Sequence, residues 1–455
     1  MSAALTQDLG AFIAGLRYED IPQDALPVIR LGFTDCVGVM IAGRGEPPPT
    51  LLASVLGPFS SDAPASLLFG KQRAPAPEAA CINGAAAHVL DFDDVALRGH
   101  PSCVLVPAIL AEAETLGASG RQMMTAYAAG YETWAELVRR DPGQHHSKGW
   151  HPTGIFGAIA AAAACASLRG LTAPQAANAL AIGATQSAGL MANFGSMSKS
   201  FHAGRSAQSG LLAARLAQAG FTGSPDALEH PQGYLQAVSP AGECERDAPI
   251  EAGRVWKMPT SRLSVKKYPM CFATHRAIDG LLGLLKAGPL AAGQIERINA
   301  SVSRRNAAIL RNHRPQTGLE AKFSMEFAMA AVVIAGRLTL LELTDEFVTR
   351  PDVQAMMQRV TVEPDDRYDP NPNANGYAIY DLVTVHTTDG DVREGEKVNL
   401  IRGGPNIPLE PDELWAKFDA CVQAGGAAAS GRLLFDALMD LDHCADARRL
   451  NALIA

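Results

Sequence analysis

No C-x-x-C pair occurs among the eight cysteines, which stand scattered at positions 36, 81, 103, 165, 244, 271, 421 and 444. In so long a chain they read as free buried thiols rather than a disulfide framework. A basic excess is also missing: 39 Lys and Arg face 47 Asp and Glu, a net charge of −8, and no segment forms a basic stripe. That excludes a nucleic-acid partner on electrostatic grounds, so any anion site must come from local clusters. Long apolar runs are scarce, and the longest, "IFGAIAAAAACASL" (155–168), is too short and alanine-rich to span a bilayer. The opening "MSAALTQDLGAFIAGL" has no basic n-region and no continuous apolar h-region, so a signal peptide is not expected. The expectation is a cytoplasmic protein without a membrane partner. Neither G-x-x-x-x-G-K-[ST], G-x-G-x-x-G nor G-x-S-x-G is present, which removes nucleotide binding and α/β-hydrolase chemistry. No internal repeat suggests a solenoid.

What remains is alanine, glycine and a large apolar fraction. Apolar residues make up 47% of the 455 positions and charged residues 19%, enough to bury a large core in two or three domains. Alanine is the strongest helix former, so helices packed closely through small side chains are expected. The pattern is helical from residue 1 to about 265, through "DALPVIRLGFTDCVGVMIAG", "PEAACINGAAAHVLDFDD", "SCVLVPAILAEAETLG" and "GRQMMTAYAAGYETWAELVRR". Thr172, Pro174 and Gln175 form a capping box before "APQAANALAIGATQSAGLM". After 265 the character changes. "ERINASVSRR" alternates like a strand, "EAKFSMEFAMAAVVIAG" is helical, and "YAIYDLVTVHTTDGDVREGEKVNL" reads as two strands joined through Asp389-Gly390. From about 410 the chain returns to helix, in "PDELWAKFDACVQAG" and "ASGRLLFDALMDLDHCADARRLNALIA". The expected fold is mainly α: a multihelical domain over 1–265, a smaller inserted α+β domain over 266–405, and a helical return over 406–455.

Four stretches carry chemistry. In "HVLDFDDVALRGHPS" (88–102), a helix continued through the acids puts Asp91 and Asp94 on one face at i, i+3. Acids at a helix C-terminus oppose the dipole, so they need a purpose; Mg²⁺ is one, although no second Asp-rich helix exists to share it. In "SKGWHPTGIFGA" (147–158), Pro152 holds His151 extended beside the free N–H groups of a new helix, a natural anion site. "ANFGSMSKSFHAGRSAQSG" (192–210) spaces Lys199, His202 and Arg205 three apart. Its S-x-x-K text lacks the companion S-D-N and K-T-G elements of penicillin-recognising hydrolases, so an anion cradle is the better reading. "SVKKYPMCFATHRAIDG" (264–280) crowds Lys266, Lys267, Cys271, His275 and Arg276 at the expected domain junction. Cys271 and His275 meet there only if the segment is helical.

In this order, "GAAAHVLDFDD", "RGHPS", "GWHPTGIFGA", "NFGSMSKSFHAGRSAQSG", "KKYPMCFATHRAID" and "EAKFSMEF" resemble the MmgE/PrpD family. The family includes 2-methylcitrate dehydratases, cis-aconitate decarboxylases and iminodisuccinate epimerase. The resemblance implies a large helical domain with a smaller α+β lid, an active site between them, a homodimer, and no metal or organic cofactor. Carried over motif by motif, it assigns catalytic roles to Asp91, His100, His151, Lys199 and Lys266. Arg98, His202, Arg205, Lys267, Cys271 and His275 are the expected substrate contacts. Three departures matter. Cys271 and Val95 stand where the family's decarboxylases carry histidine and threonine. The 2-methylcitrate dehydratases of the enterobacterial type have different text around the G-[FW]-H and lysine motifs, and Ser200 replaces a proline after the lysine. "LRGHPS", "GWHPT" and "NFGSMSK" are closer to the epimerase.

All three reactions develop negative charge on a carbon beside a carboxylate. Cations hold the carboxylates and histidines move the proton. The expected function is therefore proton abstraction from a di- or tricarboxylate. Dehydration ranks first, then epimerisation, then decarboxylation, with non-catalytic carboxylate binding as the reading from a different class.

Overall fold

The computed structural model describes residues 4–141, 143–367 and 378–453. The protein is mainly α and has two compact units. The first is built from the chain up to Val89, Asp93–Ser264 and the chain from Pro411 onward; the second comprises Leu90–Phe92 and Val265–Glu410.

The first unit contains helices α1 (Leu5–Gly15), α2 (Leu26–Gly43), α3 (Pro47–Leu56), α4 (Ala76–Val89), α5 (Ser102–Leu116), α6 (Gly120–Arg140), α7 (Pro152–Leu168), α8 (Ala173–Ala184) and α9 (Met197–Gln218). A two-stranded ribbon, β1 (Ala65–Ser66) against β2 (Arg73–Ala74), precedes α4. Helix α7 carries the alanine run and is buried along nearly its whole length. An all-round apolar helix belongs in a core, and α5, α6, α8 and α9 pack around it. Small residues permit that crowding. At Gly210 of α9 an added Cβ would sit 2.5 Å from the Ala162 nitrogen of α7. At Gly84 of α4 it would sit 2.9 Å from the Gly204 Cα of α9. The Thr172 capping box forms, with the Thr172 N–H and hydroxyl both donating to Gln175 Oε1 at 3.1 and 3.0 Å. Helix α2 is the one described helix long and apolar enough to cross a membrane, and most of it is buried in this unit. It is covered by the helix Pro411–Ala424, whose Lys417 ammonium lies 2.6 Å from Asp35 of α2.

The second unit is a four-stranded sheet with helices packed on it. Strands β3 (Ile295–Ser303), β4 (Val360–Asp365), β5 (Leu382–Thr387) and β6 (Val392–Glu394) take the order β4-β3-β5-β6. Ile298, Ala300, Val302, Val383 and Val385 point into a core shared with Ile278 and Leu281 of the helix His275–Ala287 and Phe327 and Met329 of Met325–Ala335. The hairpin β5–β6 turns through Asp389-Gly390 as the sequence predicts, with Gly390 at φ +90°. The start of the predicted first strand of that hairpin, at Tyr377, lies outside the described residues.

Four details differ from the sequence reading. The helix expected to run through the D-F-D-D acids stops at Val89. The helix expected from Glu320 is broken at Ser324, whose hydroxyl caps Met325–Ala335 by accepting the Phe327 N–H at 3.1 Å. The C-terminal tail is a series of short pieces, Gly431–Met439 and Arg448–Ala452 among them. Strand β4 was not anticipated: it pairs parallel with β3, Ile298 opposite Val360, at the edge of the sheet. Its text, "VTVEPD", holds a proline and two acids, which an edge strand tolerates and which mask its period.

Candidate active site

Within the first unit, the ends of four helices bring their polar side chains together. Helix α4 delivers His88 in its last turn, and the chain then doubles back so that Asp93 meets it. The Asp93 carboxylate oxygens lie 2.9 and 3.0 Å from His88 Nδ1. His100, two residues before α5, places its Nδ1 3.1 Å from Asp93 Oδ2, close but not in line for a straight hydrogen bond. Its backbone N–H donates to Thr153 Oγ1 of α7 at 3.2 Å. His151 caps α7 in an extended conformation, φ −89° and ψ 108°, as its following proline dictates. The His151 ring stacks on His88 at 5.7 Å and meets Phe194 edge-on at 4.9 Å. Its Nδ1 lies 3.1 Å from His202 Nδ1 on α9. Lys199, buried in the first turn of α9, holds its ammonium 5.4 Å from the centre of the Phe194 ring.

Burial decides the charges here. It pushes His88 down to about 4, against the pull of Asp93, and the Lys199 ammonium adds to the effect. His151 is driven well below the ordinary histidine value by burial, then by His88, Lys199, His100 and His202. His202 is lowered by burial and by Lys199. Asp93 goes the other way from what burial alone would do: His88 and His100 hold it well below the usual carboxylate range. At neutral pH His88, His151 and His202 are therefore uncharged and Asp93 is ionised, with an ammonium beside them. The uncharged imidazoles offer lone pairs to a proton once a bound anion offsets the burial and the neighbouring ammonium, and that ammonium attracts the anion.

The three acids of the D-F-D-D run do not share a face. Asp91 leaves the helix at φ +51° and belongs to the second unit, where its carbonyl and Oδ2 both accept from Lys266 Nζ, at 2.6 and 2.9 Å. Asp94 is fully buried, and its carboxyl is pushed well above its ordinary value by burial and by Asp35. One acid is thus paired with a lysine, one with two histidines, and one has its carboxyl pushed upward by burial. A carboxylate cluster for Mg²⁺ is not what this donor set offers. His88, Asp93 and Cys103 do bring donor atoms within 4.8 Å of one another. Burial and the Asp93 charge hold the Cys103 thiol well above its usual value, so it stays protonated, a hydrogen-bonded neighbour rather than a thiolate.

The remaining expected contacts are placed differently. Arg98 follows Leu97 in a loop where both residues have positive φ, +64° and +50°. Its guanidinium donates to the carbonyls of Asp141 and Gly143 at 2.9 and 2.8 Å, clamping the strained loop that leads to His100. Arg205 donates to Gln208 on the exposed side of α9. In the second unit, Lys267 lies 3.5 Å from Asp279, which also accepts from the Tyr268 hydroxyl at 2.6 Å. Cys271 and His275 do not form an i, i+4 helical pair: Phe272–Thr274 is a 3₁₀ turn and α-helix begins only at His275. His275 Nε2 is instead 3.3 Å from the Met270 carbonyl. Sequence reading missed His88, Asp93 and Phe194. His88 was legible only as a histidine in an alanine-rich helix, five residues before an acid.

A mainly α chain that gathers neutral imidazoles, a buried ammonium and an anchoring carboxylate has the equipment of an acid-base enzyme that receives an anion. The chain belongs to the MmgE/PrpD family: the family's N-terminal domain matches residues 7–247 and its C-terminal domain residues 268–441. Among curated proteins it is 24% identical over 467 residues to "Cis-aconitate decarboxylase" of Mus musculus, covering 99% of this chain and 94% of that protein. The "Cis-aconitate decarboxylase-like protein oryM" of Aspergillus oryzae is 26% identical over 476 residues, covering 99% and 97%. A "Cis-aconitate decarboxylase" of Aspergillus terreus is 24% identical over 399 residues, covering 82% and 80%.

Proposed function

We propose that this protein is a cofactor-independent enzyme that removes a proton from the carbon beside a carboxylate of a di- or tricarboxylate, and eliminates water from it. The observation that carries the reading is the gathering of His100, His151 and His202 beside the buried Lys199 ammonium, with His151 and His202 held below the ordinary histidine value and His88 and Asp93 behind them. Lys199 binds a substrate carboxylate and stabilises the charge that develops on it. A neutral imidazole takes the α-proton, and the electron pair moves into the carboxylate as an enolate. The pair then returns to form the double bond while the β-hydroxyl leaves as water, protonated by an imidazolium. Asp91 and Lys266, paired within the second unit, keep the catalytic role that the motif match assigns to them.

Decarboxylation is the second reading, and the names of the three relatives favour it. There the bond from carbon to a carboxylate breaks, CO₂ leaves, and the electron pair left on carbon is stabilised toward a neighbouring carboxylate before that carbon is protonated. Val95 and Cys271 stand against it, since the family's decarboxylases carry threonine and histidine at those positions. Proton NMR of citrate, 2-methylcitrate, cis-aconitate and N-substituted aspartates in deuterated buffer separates the outcomes. A new alkene signal reports dehydration, deuterium at carbon with CO₂ loss reports decarboxylation, and deuterium wash-in alone reports epimerisation. His151→Ala and Lys199→Ala are each expected to lower turnover by about 10²-fold or more; unchanged turnover in both would remove this site from the reaction.

A homodimer is part of the same proposal. Its support is an exposed apolar row on α9, Met197, Phe201 and Leu212, with Leu51 and Val55 exposed on α3, which packs on α9.

A further inference from the structure

The motif match assigns a role to Asp91 but none to Asp93 or His88, and these two are buried beside His100. The Asp93 and His88 side chains are fully buried, while the His100 side chain is 14% exposed. His100 Nδ1 is itself buried, so the accessible part of its ring lies elsewhere. That buried nitrogen sits 3.1 Å from Asp93 Oδ2. An unprotonated Nδ1 would set its lone pair against an ionised carboxylate at that distance, so Nδ1 carries a hydrogen. The same argument holds for His88 Nδ1, 2.9 Å from the same oxygen. The tautomer follows: in both rings the lone pair belongs to Nε2.

We propose that Asp93 is a positioning residue, held by His88, which fixes His100 in the tautomer whose Nε2 moves the substrate proton. When Nε2 takes the α-proton, the pair left on carbon enters the substrate carboxylate, and the imidazolium formed stands against a carboxylate already ionised. Asp93 does not itself accept the proton. The groups facing His100 are Asp93, His88 and His151, with the Cys103 thiol donating to the His100 carbonyl at 3.2 Å, while Lys199 bears on His88 and His151. Only Asp93 among them is an anion that its surroundings hold ionised. Replacing it by a neutral amide removes the counter-charge and offers Nδ1 a donor, which drives the hydrogen to Nε2 and removes the base.

This inference rests on the acid-base reading above, and its test separates the two. In protein labelled with ¹⁵N-histidine, with His100→Gln used to assign the signal, His100 is expected to show a protonated Nδ1 and a bare Nε2. In Asp93→Asn that pattern reverses or mixes. Turnover of citrate, 2-methylcitrate and cis-aconitate in deuterated buffer is expected to fall by about 10²–10⁴-fold in kcat, with KM changed by less than about threefold. His88→Asn keeps an N–H donor facing Asp93 and is expected to hold kcat within about tenfold. A His100 that carries its hydrogen on Nε2 in the unmodified protein overturns the proposal whether or not a substrate has been found. So does an Asp93→Asn variant with unaltered kcat, or a tightly held divalent ion whose chelation abolishes turnover. If Asp93→Asn does not fold, the ¹⁵N pattern of the unmodified protein and the His88→Asn kinetics still decide it. The expected ¹⁵N pattern with no turnover of any carboxylate leaves the positioning geometry standing and removes the substrate assignment.

Discussion

At the scale of single residues, the D-F-D-D run shows how little a carboxylate's type says about its state. Asp91, Asp93 and Asp94 lie within four positions, yet one is ion-paired, one is held ionised by two histidines and one is pushed well above the usual carboxylate value by burial. His88 makes this measurable. Its folded value is about 4 against an ordinary 6.5. Between those values the unfolded chain binds more protons than the native one, so the stability contributed by His88 is complete above pH 6.5 and is lost as pH falls toward 4. His151 is shifted in the same direction, and Asp94, raised, slopes the opposite way. The difference between the unmodified protein and His88→Asn therefore isolates the imidazole. Urea unfolding at pH 7 and at pH 4.5 should show the unmodified protein losing roughly 2–3 kcal/mol relative to the variant. Parallel losses in the two proteins would mean that His88 is not held neutral.

At the scale of elements, helix α9 links packing to chemistry. It carries Lys199 and His202 and approaches α4, which carries His88, at Gly204 against Gly84. A Cβ at Gly204 would collide with the Cys81 carbonyl of α4. Gly204→Ala is expected to cost about 1–3 kcal/mol in urea unfolding, and to lower turnover because the helices that aim His88 and Lys199 must separate. At Gly283, in the helix His275–Ala287, an added Cβ would have nothing within 4 Å, so Gly283→Ala should instead add about 0.5–1 kcal/mol. The sequence reading succeeded where local rules govern: the alanine-rich core helix, the Thr172 box, the extended His151 before Pro152 and the Asp389-Gly390 hairpin. It failed where tertiary contacts overrule them. No glycine or proline marks the end of α4; the helix stops at Val89 because the chain turns back to set Asp93 on His88. Cys271 and His275 look like an i, i+4 helical pair, but a 3₁₀ turn occupies Phe272–Thr274 and α-helix begins only at His275. His100, His151, Lys199 and His202 were legible as cationic or titratable residues in loops and first turns. His88 and Asp93 were not, because only folding brings them together.

At the scale of the whole molecule, the proposed dimer is tested by light scattering, where twice the chain's mass is expected. Glutamates in place of Leu51 and Val55 should shift that mass toward one chain by placing charge in the apolar face. A monomeric unmodified protein would overturn the dimer and leave the chemistry of the histidine cluster untouched.

The pairing of α2 with the helix Pro411–Ala424 also sets a timetable for synthesis. Helix α2 emerges from the ribosome early, and its cover is made roughly 370 residues later, about 20–70 s at ordinary elongation rates. Through that interval the most membrane-like segment of the chain stands without its partner, and Asp35 without Lys417. The nascent protein is then a client for factors that shield apolar helices, and a message truncated before codon 411 should yield a product that aggregates or is degraded, however complete its histidine cluster.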